Sequence, residues 1–218
     1  MVDGQVEVER TSSSGVVEHL ARIGRGGYFG EIGLLHGVPR TATVRASGGG
    51  VTVLVMSRES FMQMVTEHDL ISFEIAEMAK RRMMVSQLAD AIPGLDSAAL
   101  AKVSTHLERQ SFAPGQIVIQ QGDEADRFYV IVGGEAEVVN HHPGGDDIVL
   151  AVLGPGEYFG EIGILQNRPR TATVRAAGNT DLEVLALARE HFLALSDSAH
   201  QTGQAIADKA LRRLLALQ

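Results

Sequence analysis

Short apolar runs cut by glycine-rich turns fill the second half of the chain. Residues 116–120, 127–132, 136–140 and 148–153 each read as a short strand. Pro114-Gly115, Gly122-Asp123, Gly133-Gly134 and Pro143-Gly144-Gly145 mark the turns around them. Ahead of these strands, Leu95, Leu100, Val103 and Leu107 fall near helical spacing and predict an amphipathic helix over 95–107. Residues 182–187 read as another strand, and 189–218 are mostly helical in pattern. Many short strands with Gly-rich turns predict a small barrel or jelly roll followed by helices.

The pattern occurs twice. Tyr28-Phe29-Gly30-Glu31-Ile32-Gly33 recurs as Tyr158-Phe159-Gly160-Glu161-Ile162-Gly163, and Pro39-Arg40-Thr41-Ala42-Thr43-Val44-Arg45-Ala46 recurs as Pro169-Arg170-Thr171-Ala172-Thr173-Val174-Arg175-Ala176. Both phrases keep one offset, 130 residues from Tyr28 to Tyr158, which means two copies of one domain. Gly4-Gln5-Val6-Glu7-Val8 aligns with Gly134-Glu135-Ala136-Glu137-Val138 at that offset, and what precedes Gly134 has no counterpart before residue 4. The first copy is therefore expected to lack its opening helix and strands. Downstream the offset slips to 131, with Ser57-Arg58-Glu59-Ser60-Phe61 matching Ala188-Arg189-Glu190-His191-Phe192, Arg81-Arg82 matching Arg212-Arg213 and Met83-Met84 matching Leu214-Leu215. Ile92-Pro93-Gly94 breaks the first copy's last helix, giving expected domains at 1–92 and 93–218.

Composition narrows the chemistry. The 218 residues suit two domains, and 44% hydrophobic content supports packed cores. With no cysteine there are no disulfides, zinc-thiolate sites or thiol nucleophiles, which fits a reducing compartment; residence in the cytoplasm is expected. A net charge of −8 and the lack of a long basic block disfavour nonspecific nucleic-acid binding. The N-terminus is acidic and alternating, unlike a signal peptide, and apolar runs such as 51–56 are too short to span a bilayer.

The repeated phrase is polar and Gly-rich, unlike core sequence. Gly30 and Gly160 permit a tight turn and close backbone approach, and a helix start after them presents free N–H groups to an anion. Arg40 and Arg170 open β-like Thr-Ala-Thr-Val segments, where a guanidinium offers a rigid fork to a phosphate. Glu31 and Glu161 cannot stabilise a phosphate directly, so each is expected to bond a neighbouring hydroxyl. An anion beside a hydroxyl describes a sugar phosphate or nucleotide.

These segments resemble the phosphate-binding cassette of the cyclic-nucleotide-binding domain family, which includes catabolite-activator-type regulators, protein kinase A regulatory subunits and cyclic-nucleotide-gated channels. The second copy also resembles the family's opening motif, from Phe112 through Pro114-Gly115, Ile117, Ile119, Gln121-Gly122-Asp123, Asp126, Phe128-Tyr129 and Ile131 to Gly134. The resemblance covers nearly all of 95–218, and 4–90 as a truncated copy. It implies a mainly β fold with helices, two tandem double-stranded β-helix (jelly-roll) domains each followed by C-terminal helices. It further implies that Arg40 and Arg170 pair with the cyclic phosphate and that Glu31 and Glu161 accept from the ribose 2′-hydroxyl. Backbone N–H groups near Gly30, Ile32, Ala42 and Gly160, Ile162, Ala172 would complete the cradle. Thr41 and Thr171 follow the arginines, where the family often carries Ala, Ser or Thr. A hydroxyl there suits a syn guanine but also occurs in cAMP-responsive domains. The expected ligand is cAMP, with cGMP left open, and no cofactor or metal is expected.

Plainer readings apply elsewhere. Thr43 and Thr173 read as strand residues without a ligand role, and Arg45 and Arg175 as solvated. His141-His142 lacks the spacing of a metal site. The Arg81-Arg82 and Arg212-Arg213 pairs read as complements to helix C-termini, or alternatively as a lid reaching the base. Met78, Met83 and Met84 read as helix packing. Hydrolysis of a cyclic nucleotide would want a metal cluster or general base, which the motif does not supply. The expectation is thus a non-enzymatic cyclic-nucleotide sensor whose cassettes move the helices at 57–90 and 188–218, Ile32 and Ile162 bearing on the hinge. The alternative is a degenerate, ligand-free β-roll used for interaction, above all for the first copy. No DNA-reading, kinase, channel or transporter sequence is evident, so the output domain or partner protein is expected outside this chain. The exposed edge of the first copy is expected to promote a homo-oligomer, by strand exchange.

Overall fold

A computed structural model describes residues 1–11, 15, 17–92, 94–141, 147–198 and 200–215. The architecture is mainly β with helices, in two tandem β-rolls with helices following each. By packing, the chain divides into two compact units, residues 1–86 with 96–104 and residues 87–95 with 105–218.

In the first unit, β1 (Asp3–Thr11) lies between β2 (Val17–Ile23) and β3 (Thr43–Thr52) in a three-stranded antiparallel sheet. The one-turn helix α1 (Glu31–Leu35) sits between β2 and β3 in sequence. Helix α2 (Arg58–Glu67) starts at Ser57, whose hydroxyl accepts the N–H of Ser60 at 3.1 Å. It runs into the long α3 (Asp69–Ala91). Helix α4 (Ser97–Val103) packs on β2 with Ala99, Leu100 and Val103 buried. Val6 and Leu20 of the sheet and Phe61, Ile75, Ala79 and Met84 of the helices are also buried. Beyond β3, Val53, Leu54, Val55 and Met56 lie outside any strand and are 37%, 87%, 90% and 51% exposed.

The second unit holds two four-stranded sheets. One has the order β5-β10-β7-β8, from β5 (Ile117–Ile119), β7 (Glu135–Asn140), β8 (Ile148–Leu153) and β10 (Thr173–Ala177). The other has the order β4-β11-β6-β9, from β4 (Glu108–Phe112), β6 (Arg127–Gly133), β9 (Tyr158–Phe159) and β11 (Leu182–Ala188). Between them Ile119, Ile131, Val174, Leu182 and Val184 form the core, with Tyr129 stacked on Phe159 at 5.0 Å. Alternation along β11 sends Leu185 and Leu187 to the opposite face, where both are equally buried. Helices α5 (Glu161–Leu165), α6 (Arg189–Ser198) and α7 (His200–Leu215) complete the unit, and Phe192 of α6 stacks on Phe128 at 4.4 Å.

The structure adjusts several expected elements. The helix expected over 95–107 is confined to Ser97–Val103, because the Asp96 carboxylate caps Ala99 N–H at 2.7 Å and starts it there; Leu95 and Leu107 are buried outside it. The polar strand β4 carries no apolar alternation and pairs through its backbone with β11. The single helical stretch expected after 189 is two helices. The Pro143-Gly144-Gly145 turn, His142 and Pro93, together with the side chains of Leu214 and Leu215, lie outside the described residues.

Candidate functional site

A glycine starts the second cassette. Gly160 takes φ +89° and opens α5. A Cβ on it would meet the Arg127 carbonyl at 2.9 Å and Arg170 Nη1 at 3.0 Å, so both conformation and space require glycine. The next residue, Glu161, is 1% exposed. Its Oε1 accepts from Arg213 Nη1 of α7 at 2.7 Å, while its Oε2 is buried with no partner. Arg213 Nη1 also donates to the Tyr158 carbonyl at 2.6 Å.

Arg170 stands at the entry to β10 and is 5% exposed. Its Nη1 donates to the Gly160 carbonyl at 2.9 Å, and its Nη2 to the Arg127 carbonyl at 2.7 Å and to Asp126 Oδ1 at 3.0 Å. The backbone is held too. Arg170 N–H donates to the Asp123 carbonyl at 2.8 Å, and Gly122 N–H donates to the Arg170 carbonyl at 2.9 Å. Thr173 is buried, and its hydroxyl accepts from Gln121 N–H at 3.1 Å and Gln120 Nε2 at 3.2 Å. The turn at 120–123 thereby clasps the segment that carries the arginine.

Gly160, Glu161, Ile162, Arg170, Thr171 and Ala172, the six residues expected in the second cassette, line one cleft of about 140 Å³ with Arg213. Its other walls are apolar, including Val138, Leu150 and Ala151. The polar end thus holds a buried guanidinium and a carboxylate with one free acceptor, and the rest of the cleft suits a less polar group. Tyr158, beneath the helix, carries Lys209 Nζ 4.4 Å and the Arg213 guanidinium 5.2 Å from its ring centre. Burial, then the Glu161 charge, pushes the Tyr158 phenol up to about 12, with Arg213 opposing. Burial, then Arg213, pulls the Lys209 ammonium down.

The first cassette repeats the local geometry with less cover. Gly30 takes φ +93° and opens α1. Glu31 is 3% exposed and its Oε1 accepts from Arg82 Nη1 at 2.6 Å, with Arg82 5.2 Å from the centre of the Tyr28 ring. Arg40 donates to the Gly30 carbonyl at 2.8 Å but is exposed, as is Thr41, and Ile32 and Ala42 are half-buried. Phe29 is 39% exposed, against 3% for its counterpart Phe159.

The reading of the paired arginines is corrected. Arg82 lies nine residues before the end of α3, too far to complement that terminus, and reaches the cassette carboxylate; Arg213 lies in the last turn of α7 and reaches its cassette carboxylate as well. Their signal in the sequence was their place in the repeat. Arg45 and Arg175 keep one foot in solvent but pair with Glu9 at 3.3 Å and Glu137 at 2.5 Å. Sequence reasoning also missed Glu7, Glu9 and His19, whose donor atoms lie within 4.8 Å of one another. Arg22 and Arg45 already neutralise those carboxylates, at 2.9 and 3.3 Å.

Paired sheets closed over a Gly-Glu-Arg cleft define a β-roll small-ligand module. Residues 1–68 and 109–199 match the model of the cyclic nucleotide-binding domain, and the chain belongs to that family. It is 36% identical over 178 residues to a cAMP-dependent protein kinase regulatory subunit of Mycosarcoma maydis, covering 79% of this chain and 32% of that protein. It is 34% identical over 156 residues to the corresponding subunit of Blastocladiella emersonii, covering 70% of this chain and 36% of that one. The chain therefore spans about a third of the length of these relatives. Among solved structures, the regulatory domain of Toxoplasma gondii PKA with cAMP superposes with a TM-score of 0.55 at 27% identity, covering 95% of this chain and 76% of that one. Among the described residues no helix is long and apolar enough to cross a membrane.

Proposed function

We propose that the chain is a cyclic-nucleotide-sensing regulatory module, with cAMP as ligand, composed of domains at 1–92 and 93–218. The observation that carries this reading is the state of Glu161. One carboxylate oxygen holds helix α7 through Arg213, and the other is a buried acceptor with no partner beside a buried arginine. A ribose hydroxyl satisfies the free oxygen while the cyclic phosphate meets Arg170, supported by N–H groups around Gly160, Ile162 and Ala172. The nucleotide then stabilises the carboxylate geometry that retains Arg213, which couples the cleft to α7; in the first unit Arg82 of α3 makes the equivalent bond to Glu31. Relatives that are cAMP-dependent protein kinase regulatory subunits support a non-catalytic role and a kinase catalytic subunit outside this chain as partner; action in the cytoplasm is part of the same proposal.

A second reading applies to the first unit alone. Arg40 is exposed, which favours a ligand-free β-roll there. Calorimetric titration with cAMP, cGMP and a cyclic pyrimidine nucleotide tests both readings. One tight purine nucleotide per chain, with weaker or no binding at Glu31 and Arg40, is expected. No heat with any of the three would refute the proposal.

A further inference from the structure

The first unit ties its last helix to its sheet a second time, away from the cassette. Arg10 of β1 sends Nη1 to both the carbonyl and the hydroxyl of Ser86 on α3, each at 2.6 Å. Its Nη2 donates to Glu18 of β2 at 2.7 Å. The two side chains are 12% and 7% exposed, and the residues face each other across the β1–β2 ladder. Ser86 lies one helical turn beyond Arg82. One rigid, planar guanidinium thus bonds the hairpin and the helix together in a poorly solvated place, where removing one partner is costly.

Among its described residues the second unit shows no such tie. The same ladder positions hold Asn140 and Ile148, which pair in β7–β8. Among the described residues no side chain of β7 or β8 is bonded to α7. The described side-chain ties of α7 gather at the cassette, through Arg213 and Lys209. Besides its packing on α5 and α6, α7 has its described polar ties at the cassette alone, where all of them loosen together, whereas α3 keeps a second polar tie one turn beyond its cassette contact.

We infer that Arg10 is a positioning residue for the first cassette. It fixes α3 to the β1–β2 hairpin, so Arg82 stays over Glu31 with or without nucleotide, and α7 is left as the responsive helix. The inference rests on the reading of the cassettes as nucleotide sites, the first the weaker and filled only at saturating cAMP, but the tie itself can be tested without ligand.

Hydrogen exchange of the 218-residue chain, read by mass spectrometry with and without saturating cAMP, decides it. Wild type is compared with Arg10→Met/Glu18→Met, which replaces the buried pair by apolar side chains. Without cAMP, amides of 78–86 should exchange about tenfold faster or more in the double variant, while those of β10 and β11 stay unchanged. With cAMP, 78–86 should slow again in the double variant but change less than about twofold in wild type. Equal exchange of 78–86 in the two proteins without cAMP would overturn the inference. So would acceleration by the same factor with and without cAMP, which marks a merely structural role, or a wild-type α3 that responds to cAMP as strongly as 205–213. A chain in which cAMP changes nothing at 205–213 fails the functional proposal instead, and the comparison without nucleotide still decides whether Arg10 holds α3.

Discussion

Arg40 and Arg170 stand in the same phrase, ten residues after the same glycine, and donate to that glycine's carbonyl at 2.8 and 2.9 Å. One is exposed and the other is 5% exposed. The difference comes from outside the phrase. In the second unit the turn at 120–123 grips the arginine's backbone, and the start of β6 adds Asp126 and the Arg127 carbonyl to its guanidinium. The first unit has no counterpart of either among its described residues. The same contrast continues into the next strand. Leu185 sits in β11 between β4 and β6 and is 1% exposed; Leu54, its counterpart in the repeat, is 87% exposed outside any strand. The repeated motif sets the turn, the helix start and the arginine's bond to the glycine carbonyl. The dielectric in which those groups operate is set by strands far from it in sequence.

The strongest test of this contrast is the arginine itself. Removing a charged group from a buried, bonded setting costs on the order of 3–5 kcal/mol, so Arg170→Ala should weaken cAMP binding by roughly two to three decades. Arg40→Ala should change the tight binding event less than about threefold, and Arg175→Ala, 39% exposed beside Glu137, should do as little. Calorimetry on the three variants reads the effect, and equal losses from Arg40 and Arg170 would erase the asymmetry. Core truncation comes next. Leu185→Ala should cost about 2–5 kcal/mol in denaturant unfolding, and Leu54→Ala within about 0.5 kcal/mol. A large loss at Leu54 would show that this residue is covered in solution.

Glu161→Gln should act on two readouts together. A hydrogen bond to a charged group contributes about 1.5–3 kcal/mol, so wild type should prefer cAMP over its 2′-deoxy analogue by about that margin and the variant should narrow it. Exchange over 205–213 should rise in the same variant. Full ribose preference in Glu161→Gln would assign the sugar to another group. The smallest expected effect lies at alkaline pH. Tyr158 is neutral in the folded protein up to about 12, whereas an unfolded tyrosine loses its proton near its ordinary value of 10. Between those values the unfolded state binds fewer protons, so stability is intact below pH 10 and falls as pH rises towards 12. Tyr158→Phe should flatten that part of the stability curve, and an unchanged slope would place the loss on other groups.

Much of this architecture was legible in the residues. Short apolar runs between Gly-rich turns gave β6, β7 and β8, another apolar run gave β11, and the repeat gave the pairing of Glu31 with Glu161 and Arg40 with Arg170 as equivalents. What was not legible depends on contacts distant in sequence. Glu108–Phe112 is polar and becomes a strand because β11 offers it a ladder. Arg213 looked like a helix-end charge, and only the placement of α7 brings it to a carboxylate 52 residues earlier. Thr173 read as a plain strand residue, yet its hydroxyl braces the turn that opens the unit.

One carboxylate serving two partners has an evolutionary consequence. On the proposed reading, Glu161 answers to two selective demands at a single codon, sugar preference through Oε2 and the hold on α7 through Oε1. On that reading a substitution that retunes the first also disturbs the second. Divergence in ligand choice has freer ground at the wall residues Val138, Leu150 and Thr171, which line the same cleft and, among the described residues, show no side-chain bond to α7.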